Sequence, residues 1–190
     1  MRSSIEPIEI SKKQAYGFTK SVLGGILAGL SISQIGFLLM PLGLAILWSQ
    51  IRSPAKSSLW GAIALLISHR WLLALHPMDW VGVPANLSLP LAIAIWLICG
   101  VLAGALVGAW ALIAKFIYSI QKVDQTIESN VSYALIMSCL WGLGEVYLSH
   151  SPFFWIGVGG SILPGDQTLA GLARSVGAGG LASIQLLIGW

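Results

Sequence analysis

Apolar residues fall in long blocks along this chain, and the few charged residues mark the joints between blocks. From Lys20 to Arg52 nothing intervening is charged. A single span needs about 20 apolar residues, so this block is too long for one ordinary crossing and long enough for two short helices. The next block runs from Leu59 to Leu75 and holds His69 and Arg70. A Pro-rich polar connection follows, HPMDWVGVPANLSLP. Leu89 to Lys115 predicts one long helix, IQKVDQTIESN a hydrophilic loop, and Val131 to Leu148 the next span. Then comes SHSPFFWIGVGGS, residues 149–161, uncharged, aromatic and glycine-rich, and too short to cross a bilayer. The stretch LPGDQTLAGLARSVGAGG leads from it into an apolar tail that reaches Trp190.

Composition assigns these blocks to a membrane. The 190 residues are 56% hydrophobic and 9% charged, with mean hydropathy +0.85. A soluble domain is about a quarter charged. This chain has too little polar surface to coat a globule. The net charge of +3 calls for no nucleic acid, because basic residues in short loops are what membrane topology uses. They also decide how often the first block crosses. A single crossing would leave two basic loops outside. A hairpin turning near Ser31–Gln34 puts Lys12, Lys13, Lys20, Arg52, Lys56, Lys115 and Lys122 on one face. The connections at His76–Pro90 and Ser149–Asp166 then lie on the other.

The expected fold is an all-α membrane protein of about six transmembrane helices, the first two a short hairpin. Residues 149–161 form an aromatic, glycine-rich re-entrant or interfacial segment on the outer face. Residues 1–20 read as a polar cytoplasmic N-terminus and residues 21–190 as the helical membrane domain. Lys20 with the SVLGGILAGL that follows reads as an anchor rather than a cleaved signal.

Gly100, Gly104 and Gly108 make one stripe of small residues, and Gly25 with Gly29 another. In lipid, helices associate by close backbone approach, so these stripes are expected contact faces. Trp48, Trp60, Trp80 and Trp110 fall near predicted span ends, where an indole suits the headgroup region. Cys99 and Cys139 lie in apolar blocks and read as buried, unpaired thiols. His69, His76 and His150 lack metal-site spacing, and neither a metal nor a cofactor is expected. No nucleophile motif appears.

Glu145 is the polar residue that stands out, inside a predicted span and four residues after Trp141. A carboxyl group in hydrocarbon costs several kcal/mol unless it is satisfied, with estimates from about 2.5 upward. It pins a helix contact, or it braces a lipid or substrate pocket at the outer leaflet; Arg70 is its expected partner. His69 and Arg70 likewise read either as packing and snorkelling groups or as part of that site.

Three stretches carry a family resemblance. The first hairpin, LGGILAGLSISQIGFLLMPLGLAILW, resembles the opening of the bacterial apolipoprotein N-acyltransferases. The likeness continues through LWGAIALLISHRWLLALHPMDWVGVPANLSLPLAIAIWLICGVLAGALVGAW. It is most specific in LWGLGEVYLSHSPFFWIGVGGSILPGDQTLAGLARSVGAGGLASIQLLIGW. Cyanobacterial members look most similar, and the resemblance covers residues 20–190. It implies an enzyme of the bacterial inner membrane with a cytoplasmic N-terminus. Such an enzyme transfers an acyl chain from a phospholipid to the N-terminal cysteine amine of a diacylated lipoprotein. The implied partners are the phospholipid donor, the lipoprotein and the bilayer.

The family carries its Glu-Lys-Cys triad on a nitrilase-like domain, and no residue here corresponds to that triad. The expectation is therefore of a truncated membrane portion, inactive alone, with no catalytic residue among the 190. What carries over is a substrate-binding set of Trp155, Glu145 and Trp71. Trp155 matches the tryptophan of the family's Phe-Pro-Trp element, although the order here is Pro-Phe-Phe-Trp. Two other readings stay open at this point, a non-enzymatic membrane scaffold or assembly protein and a small transporter built on Glu145 and Arg70.

Overall fold

The computed structural model describes residues 6–31, 36–121, 126–150, 157–162 and 167–190. Among these residues the chain forms six α-helices: α1 (Glu6–Ser31), α2 (Gly36–Ser49), α3 (Pro54–Ser68), α4 (Ala85–Gln121), α5 (Ile127–Ser149) and α6 (Gln167–Gly189). Short 3₁₀ turns occupy Arg70–Leu75, Asp79–Val81 and Val158–Ile162. Three segments are long and apolar enough to cross a membrane, Ala85–Ile120, Ile127–Ser149 and Gly171–Gly189, and Leu38–Ser49 is a shorter apolar helix.

Helix bounds follow local chemistry more than hydropathy. Helix α3 starts earlier than its apolar block because Pro54 sits in the first turn, where its missing N–H costs nothing. It also stops earlier, at Ser68, and Arg70–Leu75 tightens into a 3₁₀ turn. Helix α4 overruns Leu89–Lys115 at both ends; its 37 residues span about 55 Å at 1.5 Å each, against a hydrocarbon core of about 30 Å. Helix α5 begins with a reciprocal cap: the Ser129 amide donates to the Thr126 hydroxyl at 3.1 Å, and the Thr126 amide donates to the Ser129 hydroxyl at 3.3 Å. Helix α1 ends at Ser31, α2 starts at Gly36, and the two pack together with Gly43 against Gly24 and Ala28, while the turn expected near Ser31–Gln34 lies largely outside the described residues. Helix α1 starts at Glu6, so the polar stretch and the first apolar block share one helix. Gly177, with φ of 68°, breaks α6 where only glycine is at ease.

Both glycine stripes face α3. A methyl group at Gly25 would come within 2.7 Å of the Trp60 carbonyl oxygen, and one at Gly29 within 2.7 Å of the Ala64 carbonyl. From the other side, Gly104 sits nearly as close to the Ser58 carbonyl, and Gly100 abuts Leu66. Helix α3 is thus clasped between α1 and α4. Helices α5 and α6 meet through Gly142 and Gly179, and the Ser183 hydroxyl donates to the Ser138 carbonyl at 3.0 Å. Gly25→Leu should force α1 off α3 and lower stability by about 1–3 kcal/mol. Gly171→Leu, where nothing lies near an added side chain, should leave it unchanged. Denaturant unfolding in detergent, followed by circular dichroism, checks the pair.

The centre of the bundle is aromatic. Trp110 meets Trp48 edge-on at 5.6 Å and Trp141 at 5.1 Å, and Trp141 in turn meets Trp60 at 6.5 Å. Tyr133 extends the cluster from Trp48 to Tyr118. The indole N–H groups donate across helices: Trp48 to the Leu186 carbonyl at 2.8 Å, Trp60 to Gly43 at 3.0 Å, Trp96 to Leu66 at 2.8 Å and Trp110 to Met137 at 3.0 Å. This corrects the expectation for Trp48, Trp60 and Trp110, which are buried core residues rather than outward-facing anchors; Trp80 alone of the four is exposed. An indole suits both settings because it is apolar with a single donor, and inside lipid a helix carbonyl is the available acceptor. Cys139 is likewise exposed rather than buried, Cys99 is half-buried, and both are free thiols. The outer face of α4 carries exposed Leu97, Ile98, Val101, Leu112 and Phe116. Hydrocarbon solvates such a face at no cost.

Candidate functional site

Helices α4 and α5 touch at one end and part at the other. Their contact is made by the Trp110–Met137 hydrogen bond and by the Tyr133 hydroxyl, which donates to the Ala114 carbonyl at 3.2 Å. Toward the start of α4 and the end of α5 a lateral cleft opens. Its larger part, about 450 Å³, is walled by Leu65, Trp71, Cys99, Leu102, Leu106 and Leu148. Leu106 and Leu148 are shared with a second recess of about 200 Å³, which reaches Trp110, Trp141 and Glu145. A smaller hollow of about 50 Å³ lies among Trp60, Trp141, Gly157 and Val158. The larger recess lies within the roughly 300–1,000 Å³ usual for a small-ligand site, and its walls are almost wholly hydrocarbon and aromatic.

Glu145 closes the inner wall. It is buried, and its carboxyl group faces three N–H donors. Oε1 accepts from the Trp141 indole at 2.8 Å and from the Val158 amide at 2.6 Å, and Oε2 accepts from the Gly159 amide at 3.1 Å. The two amides belong to the 3₁₀ turn at Val158–Ile162, which α5 therefore holds by its side chain. Gly157 leaves the space: an added methyl group there would fall on the carboxyl itself. The same turn is held from α6. The Gln185 amide donates to the Val158 carbonyl at 2.6 Å, and the Ser161 hydroxyl lies 2.7 Å from that carbonyl and 3.1 Å from Gln185 Oε1. A buried polar network pinned this way is rigid because every member is satisfied by another.

Two of the three expected site residues border one cleft. Trp71, about half exposed, stands in the larger recess, and Glu145 in the adjoining one. Trp155 lies outside the described residues. The pairing expected between Glu145 and Arg70 is not found. The donors on Glu145 are the indole and two backbone amides, while Arg70 is exposed. Backbone N–H groups need no counter-charge to satisfy a carboxyl group, which removes the reason for an ion pair. Sequence reasoning did not reach Gln185 and Ser161. The available signal was Gln185 itself, an amide in the middle of an apolar helix, where a polar side chain needs a partner.

Fold and cleft together define a helical membrane protein with a lateral recess lined by hydrocarbon. Comparison with curated proteins finds relatives that share one name. The chain is 55% identical over 177 residues to the apolipoprotein N-acyltransferase of Prochlorococcus marinus strain MIT 9313, covering 93% of this chain and 36% of the relative. It is 50% identical over 171 residues to the protein of the same name from Parasynechococcus marenigrum strain WH8102, covering 90% and 36%. A protein of that name from another strain of Prochlorococcus marinus is 44% identical over 183 residues, covering 96% and 37%. No family model matches, and no solved structure matches. The chain is a homologue of the apolipoprotein N-acyltransferases and spans about a third of the length of the curated relatives it matches.

Proposed function

We propose that this chain is the membrane portion of an apolipoprotein N-acyltransferase. In that role the cleft between α4 and α5 receives the acyl chain that moves from a phospholipid to the cysteine amine of a diacylated lipoprotein. The observation that carries the reading is a lateral, hydrocarbon-walled recess in a chain whose relatives bear that name. A recess open to the side can admit an acyl chain directly from the bilayer, whereas a recess open to water would have to strip the chain from the membrane first.

The residues take separate parts in this proposal. Trp71 offers an aromatic face in the larger recess, and Glu145 fixes the turn at Val158–Ile162 beside it. Trp155, two residues before Gly157, belongs to the same stretch of chain and is proposed to meet the substrate. The acyl transfer itself is assigned to the triad that the family resemblance implies, which has no counterpart in these residues. We further propose six crossings with the N-terminus in the cytoplasm of a bacterial inner membrane. Clustering of basic groups at one end of the bundle supports this orientation: Lys56 packs beside Gly17, and Arg52 donates to the Tyr118 hydroxyl at 2.9 Å. The transporter reading loses its support, because Glu145 is occupied by indole and backbone donors and is not paired with Arg70.

Filling the cleft tests the proposal. In the enzyme that carries this chain, Leu106→Trp should lower acyl transfer from phospholipid to a diacylated lipopeptide by about tenfold or more, equivalent to ~1.4 kcal/mol in the barrier. Leu112→Trp, on the exposed outer face of the same helix, should leave it unchanged. Wild-type turnover in Leu106→Trp, with the protein folded, would remove the cleft from the reaction.

A further inference from the structure

A second groove lies between α1 and α2, and it shares no residue with the cleft. It encloses about 530 Å³ and is walled by Leu23, Leu27, Leu42, Ala45 and Ile46, with Lys20 at one end. The Lys20 ammonium sits 4.8 Å from the centre of the Tyr16 ring. Among the described residues no acidic side chain lines the groove. We infer that this groove holds one anionic phospholipid of the leaflet on the basic side, its phosphate against Lys20 and an acyl chain along α1 and α2.

Depth, length and charge all support that occupant. Lys20 neighbours a buried polar layer in which the Ser21 hydroxyl bonds Gln50 and the Gln50 amide donates to the Gly17 carbonyl at 3.1 Å. Lys56 and Arg52 lie at the same end of the bundle. Such a layer belongs at the membrane boundary, where a lysine meets headgroups rather than tails. From Ser49 to Leu42 the groove follows α2 for about 10 Å at 1.5 Å per residue. A leaflet's hydrocarbon is about 15 Å deep, half of the ~30 Å core. The groove therefore covers the upper part of one acyl chain and then opens to lipid. An apolar helix packed here would bury the ammonium without a counter-charge, whereas a phosphate supplies one.

Native mass spectrometry tests the assignment. The protein would be extracted from vesicles of mixed phosphatidylglycerol and phosphatidylcholine and the retained lipid counted. Wild type should keep one phosphatidylglycerol in preference to phosphatidylcholine. Lys20→Gln should weaken retention about fivefold, the equivalent of ~1 kcal/mol for one lysine at a membrane surface. Ala45→Phe, which keeps the charge and fills the groove, should weaken it similarly, and Lys115→Gln should not. Circular dichroism establishes that each variant is helical, and if Ala45→Phe does not fold, Lys20→Gln decides alone. Equal retention of the two lipids, undiminished retention in Lys20→Gln, or displacement by inorganic phosphate alone would overturn the inference. None of these readouts depends on acyl transfer.

Discussion

Glu145→Ala is expected to cost about 3 kcal/mol or more of stability, because it leaves three N–H donors without an acceptor and each orphaned buried donor costs roughly 1–3 kcal/mol. The donors are the Trp141 indole and the amides of Val158 and Gly159. The loss should fall first on the 3₁₀ turn, so limited proteolysis near residues 157–162 should rise before the helices unfold. Glu145→Gln should recover part of the loss: its carbonyl oxygen can keep the Trp141 and Val158 bonds, while its NH₂ group would face the Gly159 amide and lose the third. Gly157→Ala should reproduce much of the damage from the other side by pushing a methyl group onto the carboxyl. Thermal unfolding in detergent measures all three. If Glu145→Ala matched wild type in both stability and cleavage, the side chain at this position would not be what holds the turn.

Trp110→Ala is the second large effect. Its ring joins Trp48 to Trp141, and its N–H ties α4 to α5 at Met137. In lipid there is no gain from hiding apolar surface from water, so the cost comes from lost packing contacts and from the void. Large-to-small changes at an aromatic core position cost about 3–5 kcal/mol. Trp110→Phe keeps most of the ring and loses the hydrogen bond, and should cost closer to 1 kcal/mol. Denaturant unfolding gives the two values. A Trp110→Ala protein as stable as Trp110→Phe would show that the ring itself contributes nothing.

Hydropathy and charge made the helices legible, and small-residue spacing made their contacts legible. Gly104, like Gly25 and Gly29, faces a neighbouring helix because no other residue type allows backbones so close, and Gly100 makes room for the Leu66 side chain. Helix ends were read less well. Pro54 and Thr126 set them by local hydrogen-bond chemistry, which an apolar run does not encode. The tryptophans were misplaced for a related reason: position near a span end says nothing of which way the ring turns. Glu145 was visible as an anomaly, but its partners are mainly backbone amides of a turn thirteen residues further on. Backbone groups are the same at every position, so residue identity could not point to them. A cationic partner was the natural expectation, and Arg70 the natural choice.

The aromatic wedge at Trp110 fixes more than a contact between two helices. It sits where α4 and α5 converge, so it acts as the fulcrum of a jaw whose gape it sets by its own thickness. A jaw propped from behind has no need to flex to be entered from the side. On the function proposed above, such a jaw would sort hydrocarbon tails by girth more than by length, admitting straight ones and turning away those with a bulky branch.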